Sequence, residues 1–263
     1  MDLGLKDKVA FVAAGSKGMG RASALALAAE GARVAIAART AGPLEEAAAD
    51  IRARTGAEIL AVPADLARAE DCTRAVRRAR ETLGAIDILV ANVGGPPPGG
   101  FAQLSDAQWL QAFEQVHLST VRLVREVLPG MRERRWGRIL TIQSSSIKQP
   151  VEGLLLSNGI RPGVAGLFKT LAADVAADGI TVNVVLPGRI MTDRFLHHQR
   201  VLAEQGGRTL EEQLALSSRD IPAGRIGTPE EFASVLVFLA SERAAYVTGS
   251  VIQVDGGLIK SVV

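Results

Sequence analysis

Seven short apolar runs, each separated from the next by a stretch of helical length, set the strongest limit on how this chain can fold. The runs are Lys8–Ala14, Arg33–Ala38, Glu58–Pro63, Ile86–Ala91, Arg138–Gln143, Ile180–Leu186 and Ser250–Val254. They are rich in Val and Ile and apolar at successive positions, as strands are when a parallel sheet is covered on both faces. Between them Gly18–Glu30, Ala67–Leu83, Asp106–Arg134, Gly163–Ala177 and Pro229–Ser241 have helical length. This alternation implies right-handed βαβ crossovers and predicts an α/β fold, a Rossmann-type doubly wound parallel sheet of about seven strands flanked by helices. No linker, repeat or low-complexity tract breaks the series, so residues 1–263 read as one domain. The one long irregular stretch expected is Ile190–Pro222, between the sixth and seventh strands. A loop of that length inside a compact domain is usually functional, and it is a candidate substrate cover.

Composition narrows the partners. Hydrophobic residues make up 48% and charged residues 22%, the balance of a globular protein, and a net charge of +2 gives no basis for nucleic-acid or membrane partners. Cys72 is the only cysteine, which excludes an intrachain disulfide, and no H-x-x-H spacing accompanies it, so no metal is expected. The first eight residues lack the basic and apolar regions of a signal peptide, and a cytoplasmic protein is the expectation.

The most informative local feature follows the first strand. Ala14 leads into Gly15, Ser16, Lys17, Gly18, Met19 and Gly20, where a helix opens. Glycines there admit a pyrophosphate to the backbone, and the helix N-terminus offers it free N–H groups. The spacing departs from G-x-G-x-x-G, but the position is the first βα turn, where a dinucleotide-binding sheet holds phosphate. At the end of the second strand Ala38 occupies the place where NAD enzymes carry a carboxylate, and Arg39 follows. Lys17 and Arg39, with no acid beside them, favour the 2′-phosphate of NADP(H) over NAD(H); the alternative is two solvated surface cations.

With these residues in place the chain resembles the short-chain dehydrogenase/reductase family over nearly its whole length, 3-oxoacyl-acyl-carrier-protein reductase-like members in particular. Ala13–Gly20 (AAGSKGMG) is similar to that family's T-G-x-x-x-G-x-G turn, with Ala13 for the threonine and Ala14 for the first glycine. Asp65 and Leu66 stand where the family contacts adenine, and Ala91–Gly94 resembles N-N-A-G, so that Asn92 and Gly94 are implied on the nicotinamide side. Asn183 and Pro187–Thr192 resemble the sixth strand and the P-G-x-x-x-T stretch, which implies Ile190 beside the nicotinamide; Tyr246–Gly249 and Val254–Gly257 resemble the C-terminal signature. The family also implies a homodimer or homotetramer built on the helices from Asp106 and Gly163.

The resemblance breaks at the chemistry. The family's Asn, Ser, Tyr and Lys correspond to His117, Ser144, Ser157 and Arg161, so Y-x-x-x-K reads Ser157-Asn158-Gly159-Ile160-Arg161. The chain holds one tyrosine, Tyr246, which the C-terminal signature already uses. A serine hydroxyl is a poor acid–base near neutrality, and an arginine holds ribose or an oxyanion without relaying a proton. Pro162 predicts that the helix here is kinked or starts late. Candidates to replace the tyrosine are His117, Lys148 and Glu152, with Ser144 polarising the substrate oxygen; His197 and His198 read as surface or lid residues. Gly94–Gly100 (GGPPPGG) is apolar and stiff, and with the 190–222 stretch it suits a partly apolar substrate.

Three functions fit. One is an NADP(H)-dependent oxidoreductase that reduces a ketone or oxidises an alcohol at a non-standard site. The second is a non-redox isomerase, dehydratase or cyclase, and the third a catalytically silent cofactor-binding subunit.

Overall fold

Alternation along the strands builds two cores. In β1 (Val9–Ala13) the side chains of Val9, Phe11 and Ala13 enter one apolar cluster, while Ala10 and Val12 enter another across the sheet. Every residue of β1 is buried, which is why its run is apolar throughout rather than alternating. The computed structural model describes residues 1–262. The other strands are β2 (Arg33–Ala38), β3 (Ile59–Pro63), β4 (Ile88–Asn92), β5 (Gly137–Ile142), β6 (Ile180–Pro187) and β7 (Val251–Val254). All pair in parallel, in the order β3-β2-β1-β4-β5-β6-β7. Sequence order reverses between β1 and β4, and beyond the C-terminal ends of those strands lies the crevice where such sheets take ligands. The fold is the single-domain doubly wound one that the alternation predicts.

Helices cover both faces: α1 (Gly18–Ala29), α2 (Ala41–Thr55), α3 (Ala69–Leu83), α4 (Asp106–Phe113), α5 (Ser119–Arg134), α6 (Leu155–Val175), α7 (Asp193–Gln205), α8 (Leu210–Ser218) and α9 (Pro229–Ala240). In α3 the buried positions Cys72, Ala75, Val76, Ala79 and Leu83 follow the helical period. Burial pushes the Cys72 thiol up to about 11, so this cysteine acts as a small apolar side chain.

Three expectations are corrected. The stretch from Ile190 to Pro222 is not irregular, because it contains α7 and α8. Thr192 caps α7 by accepting from the Phe195 amide, and Thr209 with Glu212 forms a reciprocal capping box on α8. The second expectation offered a kink or a late start at Pro162, and the late start fails because α6 begins at Leu155 and continues through the proline. Its first turns are held from outside. Asn158 Nδ2 donates to the Val151 carbonyl and its Oδ1 accepts from the Val151 amide, at 2.9 and 3.0 Å. The third concerns Asp106–Arg134, which is two α-helices joined by a π-helical turn at Glu114–Leu118. Such wide turns cost hydrogen-bond geometry and recur at functional sites. Among the described residues no helix is long and apolar enough to cross a membrane.

Candidate active site

A cleft of about 1580 Å³ runs along the C-terminal ends of the strands, from the β1–α1 turn to the β5–α6 segment and α7. It exceeds the ~300–1000 Å³ of a usual small-molecule site and has room for a dinucleotide beside a substrate.

At one end the backbone shapes the wall. Ala14 has φ 49° and Gly18 φ 54°, both in the left-handed region, so the chain turns sharply from β1 into α1. A Cβ at Gly20 would overlap the Ala14 carbonyl oxygen and lie 2.8 Å from Asn92 Nδ2. One at Gly15 would lie 2.8 Å from Ile36 Cβ. The turn therefore brings α1's N-terminus and its free amides up to the cleft with no side chain between, a fit to a diphosphate. Lys17 and Arg39 are exposed and line the same end, and their side chains make no hydrogen bond or ion pair with another described residue. Asp65 lines the cleft as well, its Oδ1 accepting from the Ala67 amide at 3.2 Å, while Leu66 is 7% exposed. Asn92, Gly94 and Ile190 border the middle. Ile190 is fixed by a parallel bridge to Gly227.

The other end is built from buried polar side chains. Arg161, 5% exposed, donates from Nε to Ser157 Oγ at 2.9 Å and from Nη1 to Gln143 Oε1 at 2.9 Å. Gln143 Nε2 in turn donates to Thr141 Oγ1 at 2.7 Å, which fixes the amide so that its oxygen faces the guanidinium. Ser157 Oγ also lies 3.3 Å from Ser146 Oγ. Ser144 Oγ accepts from the Ser146 amide at 3.2 Å and is half-buried at the cleft wall, which leaves its hydroxyl proton free for a ligand. Burial pushes Arg161 down to about 10, and the Arg194 guanidinium pushes the same way. A charged group in such a place needs a counter-charge, and the chain provides only neutral acceptors.

Ser144, Ser157 and Arg161 thus come together, and His117 does not join them. It stacks on Phe113 with centroids 4.8 Å apart, and the π-helical turn sets it against α6, 3.3 Å from where a Cβ of Gly163 would lie. Burial lowers its pKa below the ordinary value. Neither His117 nor Lys148 lines the cleft, whereas Glu152, His197 and His198 do, each exposed. Tyr246 is fully exposed, far from any acid–base role, and Asn183 ties β6 to the C-terminal segment through the Val247 carbonyl and the Ser250 amide.

Sequence reasoning missed Gln115, Gln143 and Arg194. The first lines the cleft from the π-helical turn and donates to the Gly94 carbonyl at 2.8 Å. A glutamine directly after the buried strand β5 is a signal that was there to find. Arg194 reaches from α7 to the Gly95 and Pro96 carbonyls, at 3.2 and 3.4 Å, and so joins the proline-rich loop to the helices over the cleft. Among the described residues no cluster of His, Cys, Asp and Glu is arranged to hold a metal ion.

Comparison with known proteins agrees with this geometry. The family described as enoyl-(acyl carrier protein) reductase matches residues 13–259. The chain is 35% identical to acetoacetyl-CoA reductase of Shinella zoogloeoides over 250 residues, 95% of this chain and 98% of that one. It is likewise 35% identical to 3-oxoacyl-[acyl-carrier-protein] reductase of Escherichia coli, over 97% of this chain and 99% of the other. The solved structure of L-sorbose reductase from Gluconobacter frateurii, complexed with NADPH and L-sorbose, superposes with a TM-score of 0.96 at 35% identity, covering 100% of both chains.

Proposed function

The chain belongs to the short-chain dehydrogenase/reductase family, and from that premise we propose an NADP(H)-dependent oxidoreductase that interconverts a ketone and an alcohol at a non-standard site. The observation that carries the reading is the pair of unpartnered cations, Lys17 and Arg39, at the end of a cleft that opens on the glycine turn. NADPH in the L-sorbose reductase complex supports the same choice. The amides of Gly15–Gly20 would hold the diphosphate, Lys17 and Arg39 the 2′-phosphate, and Asp65 and Leu66 the adenine. Asn92, Gly94 and Ile190 would hold the nicotinamide half, with Arg161 turned to the substrate beside it. When bound, the cofactor supplies or accepts the hydride at the substrate carbon.

The chain's own residues then manage the substrate oxygen. Ser144 donates its hydroxyl proton in a hydrogen bond to that oxygen and orients it. Arg161, fixed by Ser157 and Gln143, places positive charge where an alkoxide develops, and buried charge is effective because little water screens it. Ser157 is a positioning residue: its oxygen is taken by Arg161 Nε and its neighbour Ser146, and its pKa lies far above the ~10 of a phenol. The proton that completes the alcohol comes from water in the open cleft. The 190–222 segment, with α7 and α8, covers the substrate together with the Gly94–Gly100 loop, and the apolar proline surface suits a partly apolar molecule. Exposed Leu110 and Phe113 on α4 support assembly as a homodimer or homotetramer, and the cytoplasm is the location that goes with this reading.

The test is a fluorescence titration with NADPH and with NADH. NADPH binds at least ten times more tightly, and Arg39→Ala removes most of that preference, since a lost bidentate phosphate contact is worth about 1.4 kcal/mol or more. Equal affinities in the unmodified protein refute the cofactor choice.

A further inference from the structure

We infer that Arg161 and Arg194 form an anion-binding end of the cleft, and that the substrate is an oxo acid or hydroxy acid whose carboxylate they hold. This rests on the oxidoreductase reading and names its substrate class.

Arg161 is 5% exposed and lines the cleft, yet among the described residues no carboxylate lies within ion-pair distance of it. Its two hydrogen bonds go to neutral oxygens and use Nε and Nη1, so Nη2 has no partner among the described residues. A buried guanidinium that keeps its charge without a counter-ion is costly, and ribose hydroxyls, being neutral, do not cancel it. Arg194 adds a second positive charge to the same region and is close enough to lower the proton affinity of Arg161. It is exposed, and its two hydrogen bonds also go to neutral carbonyls, those of Gly95 and Pro96. The acidic residues that line the cleft near this end, Glu152 and Asp193, are exposed and make no ion pair with either arginine. Arg161 Nη2 and Arg194 Nε belong to residues that both line the cleft and are left without an acceptor among the described residues, so the two guanidinium groups have donors to spare for the planar geometry of a carboxylate. Ser144 lines the same wall and would meet the reacting oxygen, with the apolar remainder of the substrate towards the proline-rich loop.

A carboxylate of the substrate and the cofactor's own diphosphate are both anions, and calorimetry separates them. The protein saturated with NADPH is titrated with pyruvate, 3-oxobutanoate and 4-oxopentanoate, each against its methyl ester. At least one acid binds ten times or more tightly than its ester, and Arg161→Met and Arg194→Ala each bring the pair to within about twofold. Equal affinity of every acid and ester overturns the inference, as does a loss in the variants that falls on NADPH affinity alone. Arg194 is exposed, so Arg194→Ala decides the matter if Arg161→Met does not fold. The same titration without NADPH keeps the two readings apart. Failure of NADPH to bind refutes the redox reading, whereas the acid-over-ester preference still reports on the arginines.

Discussion

The two ends of the cleft are made in opposite ways. At the β1–α1 turn the backbone forms the surface, side chains are small, and the free cations stand out at the rim. At the β5–α6 end the surface is a chain of interlocked side chains, Thr141, Gln143, Arg161, Ser157 and Ser146, all buried. A backbone surface demands residues with no Cβ at fixed spacing, and it tolerates little else. A side-chain network needs only that its members satisfy one another, as Ser157 Oγ and Gln143 Oε1 do by accepting from Arg161. Even the backbone end shows a limit. Ala14 stands where the family resemblance implies a glycine, and it takes the left-handed conformation at a cost of about 1–2 kcal/mol.

The largest effect that would break this contrast is at Gly20. In Gly20→Ala the new Cβ overlaps the Ala14 carbonyl oxygen and crowds Asn92 Nδ2, at 2.8 Å, so the turn must open. NADPH affinity then falls at least about 100-fold, roughly 2.7 kcal/mol, in a protein that keeps its helical circular dichroism. Undiminished binding would mean that the backbone surface is not what holds the cofactor.

This difference also governs what the sequence reveals. The seven strands were legible because each is a mainly apolar run, and the glycine turn after β1 because its glycines are close in sequence. Ser157 and Arg161 were singled out as two positions of one motif, and the fold brings their side chains into contact. What they do there was not legible. Gln143 lies eighteen residues from Arg161, and only the fold brings its Oε1 to the guanidinium. The helices over the cleft were missed for another reason: α7 and α8 are short, and Thr192, Thr209 and Glu212 start them through caps rather than through a long apolar stripe. His117 was assigned to the cleft from motif position alone, and the π-helical turn, which changes the facing of the residues it contains, directs it to α6 instead.

A middle-sized effect sharpens the contrast at the side-chain end. Ser157→Ala leaves Arg161 Nε buried without an acceptor, which costs about 1–3 kcal/mol of stability in a urea titration. If Ser157 positions rather than transfers protons, turnover falls less than about tenfold. Ser144→Ala removes the group proposed to meet the substrate oxygen, and turnover is expected to fall about 100-fold or more at similar stability. A Ser157→Ala enzyme as crippled as Ser144→Ala would move the chemistry to Ser157 and refute the division of roles.

The smallest effect tests whether His117 belongs to the packing of α4 and α6 or to the cleft. Its imidazole is half-buried against Phe113 and Gly163, and burial holds its pKa below the ordinary ~6.5. The fold therefore keeps it neutral where the unfolded chain already takes a proton. As pH falls below about 6.5 the unfolded state binds more protons than the folded one, so stability declines until the folded pKa is passed, and above pH 7 it is flat. His117→Leu retains an apolar filling but loses the ring stack, a loss of about 0.5–1.5 kcal/mol near pH 7.5. It also abolishes this residue's share of the decline towards pH 5.5, read as the difference in urea midpoints between the two pH values. Turnover with saturating cofactor stays within about twofold of the unmodified protein, because His117 is not among the residues that line the cleft. A large loss of turnover with an unchanged stability slope would return His117 to the chemistry, and the cleft would then draw one of its working groups from the helix that this structure turns away from it.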